Sequence, residues 1–389
     1  MSIIFSPPLD SNKLRMAYNN DIFRFYSDSN LQPKYCDISS VGMQIRLYPN
    51  PEGKFMFNFK SYIAARINAN DFEDTIDPDL QTDNIYSFYY NFTSGNFIQL
   101  SFSFTITFES SVQGEPETTE SEAAILSWIG GVEQLGEYGY YDNTGLLVLS
   151  PHTKDNTAKS YVKYWQGYPF DIAFYRYPAA IIVKNLSNLI SQTFYSISGY
   201  IRRLYFSDGR TDESIENIIP LNEGFNELKI TRNVNSPAEK DIQYLTVEKI
   251  PYKCGIYLKW LNHLGGYNYW LFENTYSIDR STKYLGELDN DYYNIEDTTS
   301  PVKQIGKESQ DTIKVLAELL TEEERQVLKG ILDSPKIYMF TGQPFAQNGI
   351  KNWVEVRLTN SSVRIKNPRE RLTNFSFDLE LPKRYTQTL

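Results

Sequence analysis

The stretch Leu100-Ser101-Phe102-Ser103-Phe104-Thr105-Ile106-Thr107-Phe108 decides the fold. Phe102, Phe104, Ile106 and Phe108 fall on one side of an extended chain, and Ser101, Ser103, Thr105 and Thr107 on the other. A strict period of two marks an antiparallel strand with one face on a core and one toward water. Toward the N-terminus the same signal recurs. Val41 to Tyr48 reads as a strand, ended by Pro49-Asn50-Pro51-Glu52-Gly53, where prolines fix φ and glycine permits a tight turn. Lys54 to Phe59 follows, with Phe55, Phe57 and Phe59 on one face. Segment 61–67 reads as a short helix at a sheet edge. The set predicts a β-sandwich over residues 1–113.

Toward the C-terminus, residues 112–122 are polar and acidic and read as an exposed loop or hinge. Ala123 to Gly130 reads as a short helix, followed by a Gly/Tyr-rich stretch from Gly136 to Gly145. A second β-rich domain over 114–300 then carries strands at Leu146–Leu149, Tyr161–Trp165, Ile172–Tyr175, Ala180–Lys184, Thr193–Phe206 and Glu227–Thr231. Val247–Tyr257 and Tyr267–Phe272 continue it. Asp297-Thr298-Thr299-Ser300-Pro301 reads as a linker. Beyond it, Ile313, Leu316, Leu319 and Leu320 have helical spacing. Thr321-Glu322-Glu323-Glu324 forms a capping box opening a second helix to Leu332. Strands at Lys336–Phe340, Trp353–Thr359 and Asn374–Leu381 complete a module over 301–389. The expected fold is mainly β: multi-domain β-sandwiches with a small C-terminal α+β module containing a helix pair.

At 389 residues the chain suits two or three domains. With 41% hydrophobic and 22% charged residues it reads as globular, and its 15% aromatic content is high. A net charge of −10 argues against a general nucleic-acid binder, which carries a basic field. No stretch of about 18 apolar residues is present, so no membrane insertion is expected. The first residues, Met1-Ser2-Ile3-Ile4-Phe5-Ser6-Pro7-Pro8, lack the basic and apolar regions of a signal peptide. With 2 Cys and 2 His, neither a disulfide framework nor a Cys/His zinc site is available. Cys36 and Cys254 suit free thiols, or a bridge if the fold brings them together.

Catalytic motifs are scarce. Gly130-Gly131 lacks the Lys-Ser/Thr that completes a phosphate loop, and Gly265-Gly266 reads as a hairpin turn. His152 and His263 stand in turn-rich surroundings without a nucleophile elbow and are expected to be structural, His152 on a surface loop. Asp289 and Asp291 begin an EF-hand-like run, but Asn294 and Ser300 replace its glycine and its final glutamate. Asp71, Glu73, Asp74, Asp77 and Asp79 read as a solvated acidic loop. No pair of carboxylates is singled out for glycoside hydrolysis. The chain is expected to be no enzyme and to need no cofactor. Tyr86, Tyr89, Tyr90, Tyr138, Tyr140, Tyr141, Tyr292 and Tyr293 lie in polar segments. They suit either an interface or ordinary strand positions.

Two segments carry a resemblance. Pro251-Tyr252-Lys253-Cys254-Gly255-Ile256-Tyr257-Leu258-Lys259-Trp260-Leu261-Asn262, then Gly265-Gly266 and Tyr269-Trp270-Leu271-Phe272, resembles a stretch in virion and tail proteins of tailed bacteriophages of Bacteroidetes. The order from Leu332-Asp333-Ser334-Pro335 through Trp353-Val354-Glu355-Val356-Arg357 to the Phe-rich final strand is similar to the end of many tail and baseplate components. Leu47-Tyr48-Pro49-Asn50-Pro51-Glu52-Gly53 and Phe57-Asn58-Phe59 also fit. The resemblance implies a distal-tail or baseplate structural protein, made in the host cytoplasm and residing in the virion. It implies a hexameric or trimeric ring, contacts to other tail proteins, and Trp260, Trp270, Tyr257, Tyr269 and Trp353 as packing or interface residues. The alternatives are a receptor-recognition module for host surface glycans and a carbohydrate-active enzyme on a β-sandwich.

Overall fold

Alternation in the stretch 100–108 translates directly into a sheet. In the computed structural model, which describes residues 2–69, 74, 89–91, 96–109, 117–136, 139–150, 152–153, 159–176, 180–194, 200–210, 219–233, 238–273, 276–289, 302–359 and 372–388, strand Phe97–Phe108 buries Phe102, Phe104, Ile106 and Phe108. It lies centrally in a six-stranded sheet, flanked by Pro33–Ser40 and Thr119–Ile129. A three-stranded sheet of Ile3–Phe5, Ile22–Ser27 and Phe55–Asn58 supplies Phe5, Phe25 and Phe55 to the same core. Phe104 meets Phe5 and Phe25 edge-on, with ring centroids 5.1 and 5.4 Å apart. Each phenyl taken fully from water contributes about 2 kcal/mol. Helix Lys60–Asn68 adds Ile63 and Ile67 and falls where the sequence predicts it.

Two expected helices are strands. Ala123–Gly130 belongs to Thr119–Ile129, paired with Phe97–Phe108 from Thr107↔Thr119 to Phe97↔Ile129. Ala124, Leu126 and Trp128 are buried at a period of two, which outweighs the local helical composition. The acidic stretch before it is partly in this strand as well, and buried Glu120 accepts a hydrogen bond from Ser27 Oγ at 2.5 Å. Thr312–Leu320 is the inner part of strand Val302–Leu320. Its core residues are Ile313, Val315 and Ala317, again alternating, while Leu319 is exposed with φ 54° at a break in register. Pairing on both sides, to Tyr276 and to Phe377 at Val315, decides the conformation. The C-terminal region therefore has one α-helix, Glu322–Lys329, among its described residues. Its capping box is present, with Thr321 Oγ1 accepting from Glu324 N and Glu324 accepting from Thr321 N.

The rest is one extended core built mainly by three sheets, joined by Leu14, Met16 and Ile129 of the six-stranded sheet. A four-stranded sheet runs Leu146–Val148, Pro169–Arg176, Ile201–Asp208, Tyr89–Asn91. A five-stranded sheet runs Ser160–Trp165, Ile242–Ile250, Gly224–Arg232, Ile181–Asn185, Ser191–Phe194. A seven-stranded sheet runs Tyr267–Glu273, Gly255–Leu261, Ile337–Phe340, Trp353–Leu358, Thr373–Glu380, Val302–Leu320, Tyr276–Asp289. The chain is thus mainly β and built of β-sandwiches. The divisions expected at 113/114 and 300/301 both fall between paired strands, Phe97–Phe108 with Thr119–Ile129 and Tyr276–Asp289 with Val302–Leu320. A polar stretch between two strands of a hairpin has the same core-free composition as a linker. Among the described residues no helix is long and apolar enough to cross a membrane.

Candidate functional site

Gly255–Leu261 and Tyr267–Glu273 form the hairpin whose turn the Gly265-Gly266 pair predicts. Gly265 has φ +85°, and a Cβ there would lie 2.5 Å from Asn96 Nδ2. Alternation divides the hairpin's side chains between two faces. Tyr257, Lys259, Tyr267 and Tyr269 belong to one, and Leu258, Trp260, Trp270 and Phe272 to the other. On the first face Lys259 stands opposite Tyr269 on one neighbour and Tyr338 on the other. Asp171 and Arg203 come from adjacent strands of the four-stranded sheet, two residues offset in register.

These residues close a buried charged cluster. Arg203 donates Nε and Nη2 to the two Asp171 carboxylate oxygens at 3.0 and 2.6 Å, a bidentate pair. Its Nη1 donates to Asp74 at 2.7 Å, and Lys259 donates to the second Asp74 oxygen. Tyr269 OH donates to Asp171. Aromatic rings surround both cations. Lys259 Nζ lies 4.3 Å from the Trp353 ring centre and 5.1 Å from that of Tyr267, and Arg203 Cζ lies 4.8 Å from Tyr267. Burial alone would raise the Asp74 carboxyl pKa, but Arg203 and Lys259 outweigh it and hold the group well below the usual carboxylate range. Burial pushes the Tyr205, Tyr267 and Tyr269 phenols far above their ordinary value, so they act as neutral hydrogen-bonding groups. A cavity of about 60 Å³ borders the cluster, lined among others by Ser207, Asp208, Asn348 and Trp353. That volume holds a few waters.

The sequence reading anticipates part of this. Tyr257, Tyr269 and Trp353 gather beside the cluster, with Tyr257 5.8 Å from Tyr269 and 5.9 Å from Trp353 between ring centres. Tyr257 and Tyr269 are buried and Trp353 half-buried. Trp260 and Trp270 lie buried on the opposite face, and Trp270 is 5.3 Å from Trp165. Lys163 reaches over Trp270 at 5.1 Å and pairs with Glu324 of the helix. Within the chain, then, four of these five residues are core.

Asp74 corrects the reading of 71–79 as a solvated loop, because its side chain is only 6% exposed; the other acidic residues there lie outside the described residues. Sequence motifs alone do not single out Asp171, Arg203 and Lys259. The available signal was a lone charge inside an apolar run, as in Phe170-Asp171-Ile172-Ala173-Phe174 and Tyr257-Leu258-Lys259-Trp260-Leu261. His152 is half-buried rather than on an exposed loop. It contacts Asn268 Nδ2 at 2.9 Å, and burial, with His263 and Lys329 nearby, pushes its imidazole down to about 3. Cys36 is buried and Cys254 exposed, both as free thiols. Among the described residues no three His, Cys, Asp or Glu side chains are grouped to hold a metal. Of the EF-hand-like run only Asp289 is described. Of the loop tyrosines, Tyr86, Tyr138, Tyr292 and Tyr293 lie outside the described residues, whereas Tyr140 is 62% exposed.

No protein-family model and no curated protein matches the chain. Among solved structures, the fibronectin(III)-like modules of Clostridium thermocellum CbhA align at TM-score 0.19 and 7% identity, covering 64% of this chain and 94% of that one. A Ca²⁺-stabilized, ice-binding adhesin of an Antarctic bacterium aligns at TM-score 0.18 and 6% identity, over 78% of this chain and 65% of that one. The N-terminal four Ig domains of a Dscam1 isoform align at TM-score 0.16 and 8% identity, over 80% and 68%. Likeness at this level carries no argument about function.

Proposed function

We propose that the chain is a structural virion protein of a bacteriophage tail, forming a ring at the distal tail or baseplate. The observation that supports this is the hairpin Tyr276–Asp289 with Val302–Leu320. Beyond the reach of Thr373–Glu380 it continues as a two-stranded ribbon that the C-terminal tail meets at single points, Leu381 N to Asp311 O and a bridge between Gly306 and Thr388. Tyr284, Leu285, Leu288 and Val302 are exposed on that ribbon, and Tyr276 and Ile278 are exposed where its outer strand still lies in the sheet. A two-stranded ribbon is marginal by itself in water, and a row of exposed apolar side chains on it marks a contact surface. A subunit that works through assembly needs such an arm more than it needs a reaction centre. The buried cluster suits the same role, since it ties the strands Pro169–Arg176, Ile201–Asp208 and Gly255–Leu261 into a rigid body with its charges out of reach of any large ligand. The test is the mass of the purified chain in solution, with negative-stain images of the same sample. Rings or large oligomers are expected. A strict monomer at high concentration, and absence from purified virions, would overturn the proposal.

A further inference from the structure

Strand Tyr276–Asp289 closes the seven-stranded sheet, and its outer edge carries no strand among the described residues. Its backbone groups there are a template for another chain. The edge is regular from Tyr276 to Tyr284, where a break in register toward Gly286 makes a bulge at Leu285. Ile278 and Tyr284 are 58% and 56% exposed on one face of this stretch. Asp279 and Lys283 lie on the other face, and neither makes an ion pair with any described residue.

We infer that this edge pairs antiparallel with the same edge of a second copy of the chain, about a two-fold axis at Ser281. The inference rests on the self-assembly proposed above and names its contact. In an antiparallel ladder, matched residues turn their N–H and C=O groups either both toward or both away from the partner strand. Outward groups alternate along an edge, so two copies of one edge match only odd with odd and even with even residues. That leaves few registers. An axis at Arg280, whose guanidinium is already paired with Asp311, sets Asp279 against Ser281 and Lys283 against Ser277 and so matches neither charge. One at Asp279 sets Asp279 against itself, and like charges directly opposite are destabilising. An axis at Thr282 sets Asp279 against the bulge and Lys283 against Ser281. The axis at Ser281 alone sets Asp279 opposite Lys283 twice and Ile278 opposite Tyr284 twice, with Arg280 opposite Thr282. Its charges and its exposed apolar side chains are matched together. An isologous contact closes after two copies, so a ring that uses it carries its subunits in pairs, as two stacked layers do.

The test is a cysteine scan on the full chain with the exposed thiol removed by Cys254→Ser; Cys36 is buried. Facing residues place their Cα atoms about 4.5–5.5 Å apart, within disulfide reach. Ser281→Cys is expected to give a covalent dimer on oxidation. Ser277→Cys, whose two copies lie ~27 Å apart in this register, is expected to give none. Separately, Asp279→Lys and Lys283→Asp are each expected to weaken association about tenfold, and the double swap to restore it. Self-association without the Ser281→Cys bridge, or a double swap as weak as the single variants, overturns the inference and leaves the assembly reading standing. A chain that stays monomeric throughout overturns both.

Discussion

Asp171→Asn tests whether the charged cluster is a desolvated unit. The four ionisable partners, Asp74, Asp171, Arg203 and Lys259, sum to zero formal charge. Arg203 and Asp171 side chains are each 2% exposed, and those of Lys259 and Asp74 are 4% and 6% exposed. The substitution keeps volume and shape but leaves the cluster at +1. It also places an amide NH₂ where Arg203 and Tyr269 offer only donors to one of the two oxygens. Removing one member of a buried pair costs about 3–5 kcal/mol, most of it the penalty on the charge left behind. For a core of this size that lowers the melting temperature by on the order of 10 °C, read by circular dichroism at pH 7. The double variant Asp171→Asn/Lys259→Met returns the cluster to zero charge and is expected to regain at least about 1 kcal/mol, a non-additivity expected of groups that belong to one network, here linked through Arg203 and Asp74. A single variant within about 1 kcal/mol of the parent, or strictly additive changes in the double, would refute the reasoning. Water entering the cavity would then be screening the charges.

Four further outcomes are expected. His152 titrates near 6.5 unfolded and at about 3 folded, so between those values only the unfolded chain holds the proton. Stability therefore rises with pH across that window and falls toward acid by about 1.4 kcal/mol per pH unit from this group. His152→Gln flattens this limb of the stability–pH curve, and an unchanged slope would exclude His152 as its source. Gly265→Ala costs more than the usual ~1 kcal/mol of a glycine replacement, because φ is +85° and Asn96 stands in the way; urea midpoints measure it. Trp270→Ala costs about 3–5 kcal/mol in the same assay, a cavity under Lys163 replacing the contact with Trp165. Thr321→Ala removes the helix cap and costs about 1 kcal/mol, with less helical signal at 222 nm.

Period-two alternation made most strands legible, from Phe102–Phe108 to Phe375–Leu379, because one buried face constrains every second residue. It failed where a second pattern overlaid it. In 312–320, Ile313, Leu316, Leu319 and Leu320 satisfy helical spacing, while Ile313, Val315 and Ala317 satisfy strand spacing. Leucine and alanine favour a helix locally, and the strand wins only because Tyr276–Asp289 and Thr373–Glu380 pair with it from both sides. Those partners are remote in sequence, so no local window could weigh them. The capping box at Thr321 was legible because all its atoms lie within four residues.

The charged cluster was illegible for a related reason. Asp171, Arg203, Lys259 and Asp74 are scattered over the chain, and a local window weighs each only against its own neighbours. Asp74, in an acidic run, reads as solvated, and Lys259, among aromatics, reads as part of a packing motif. Yet a charge in a strand that is apolar on both faces has no water to reach, so it must find an opposite charge from another strand. Asp171 and Arg203 both sit in such runs and carry opposite signs, and their strands prove to be adjacent. The edge at Tyr276–Tyr284 inverts that argument. Asp279 and Lys283 occur in a strand with no apolar face turned to a core, so water satisfies each of them and neither needs a partner to fold. An opposite-charge pair spaced four residues apart on a free edge is self-complementary only under a two-fold axis midway between them, at Ser281. That makes the residue on the axis, which contacts nothing in the monomer's core, the one whose substitution by cysteine reports most directly on assembly.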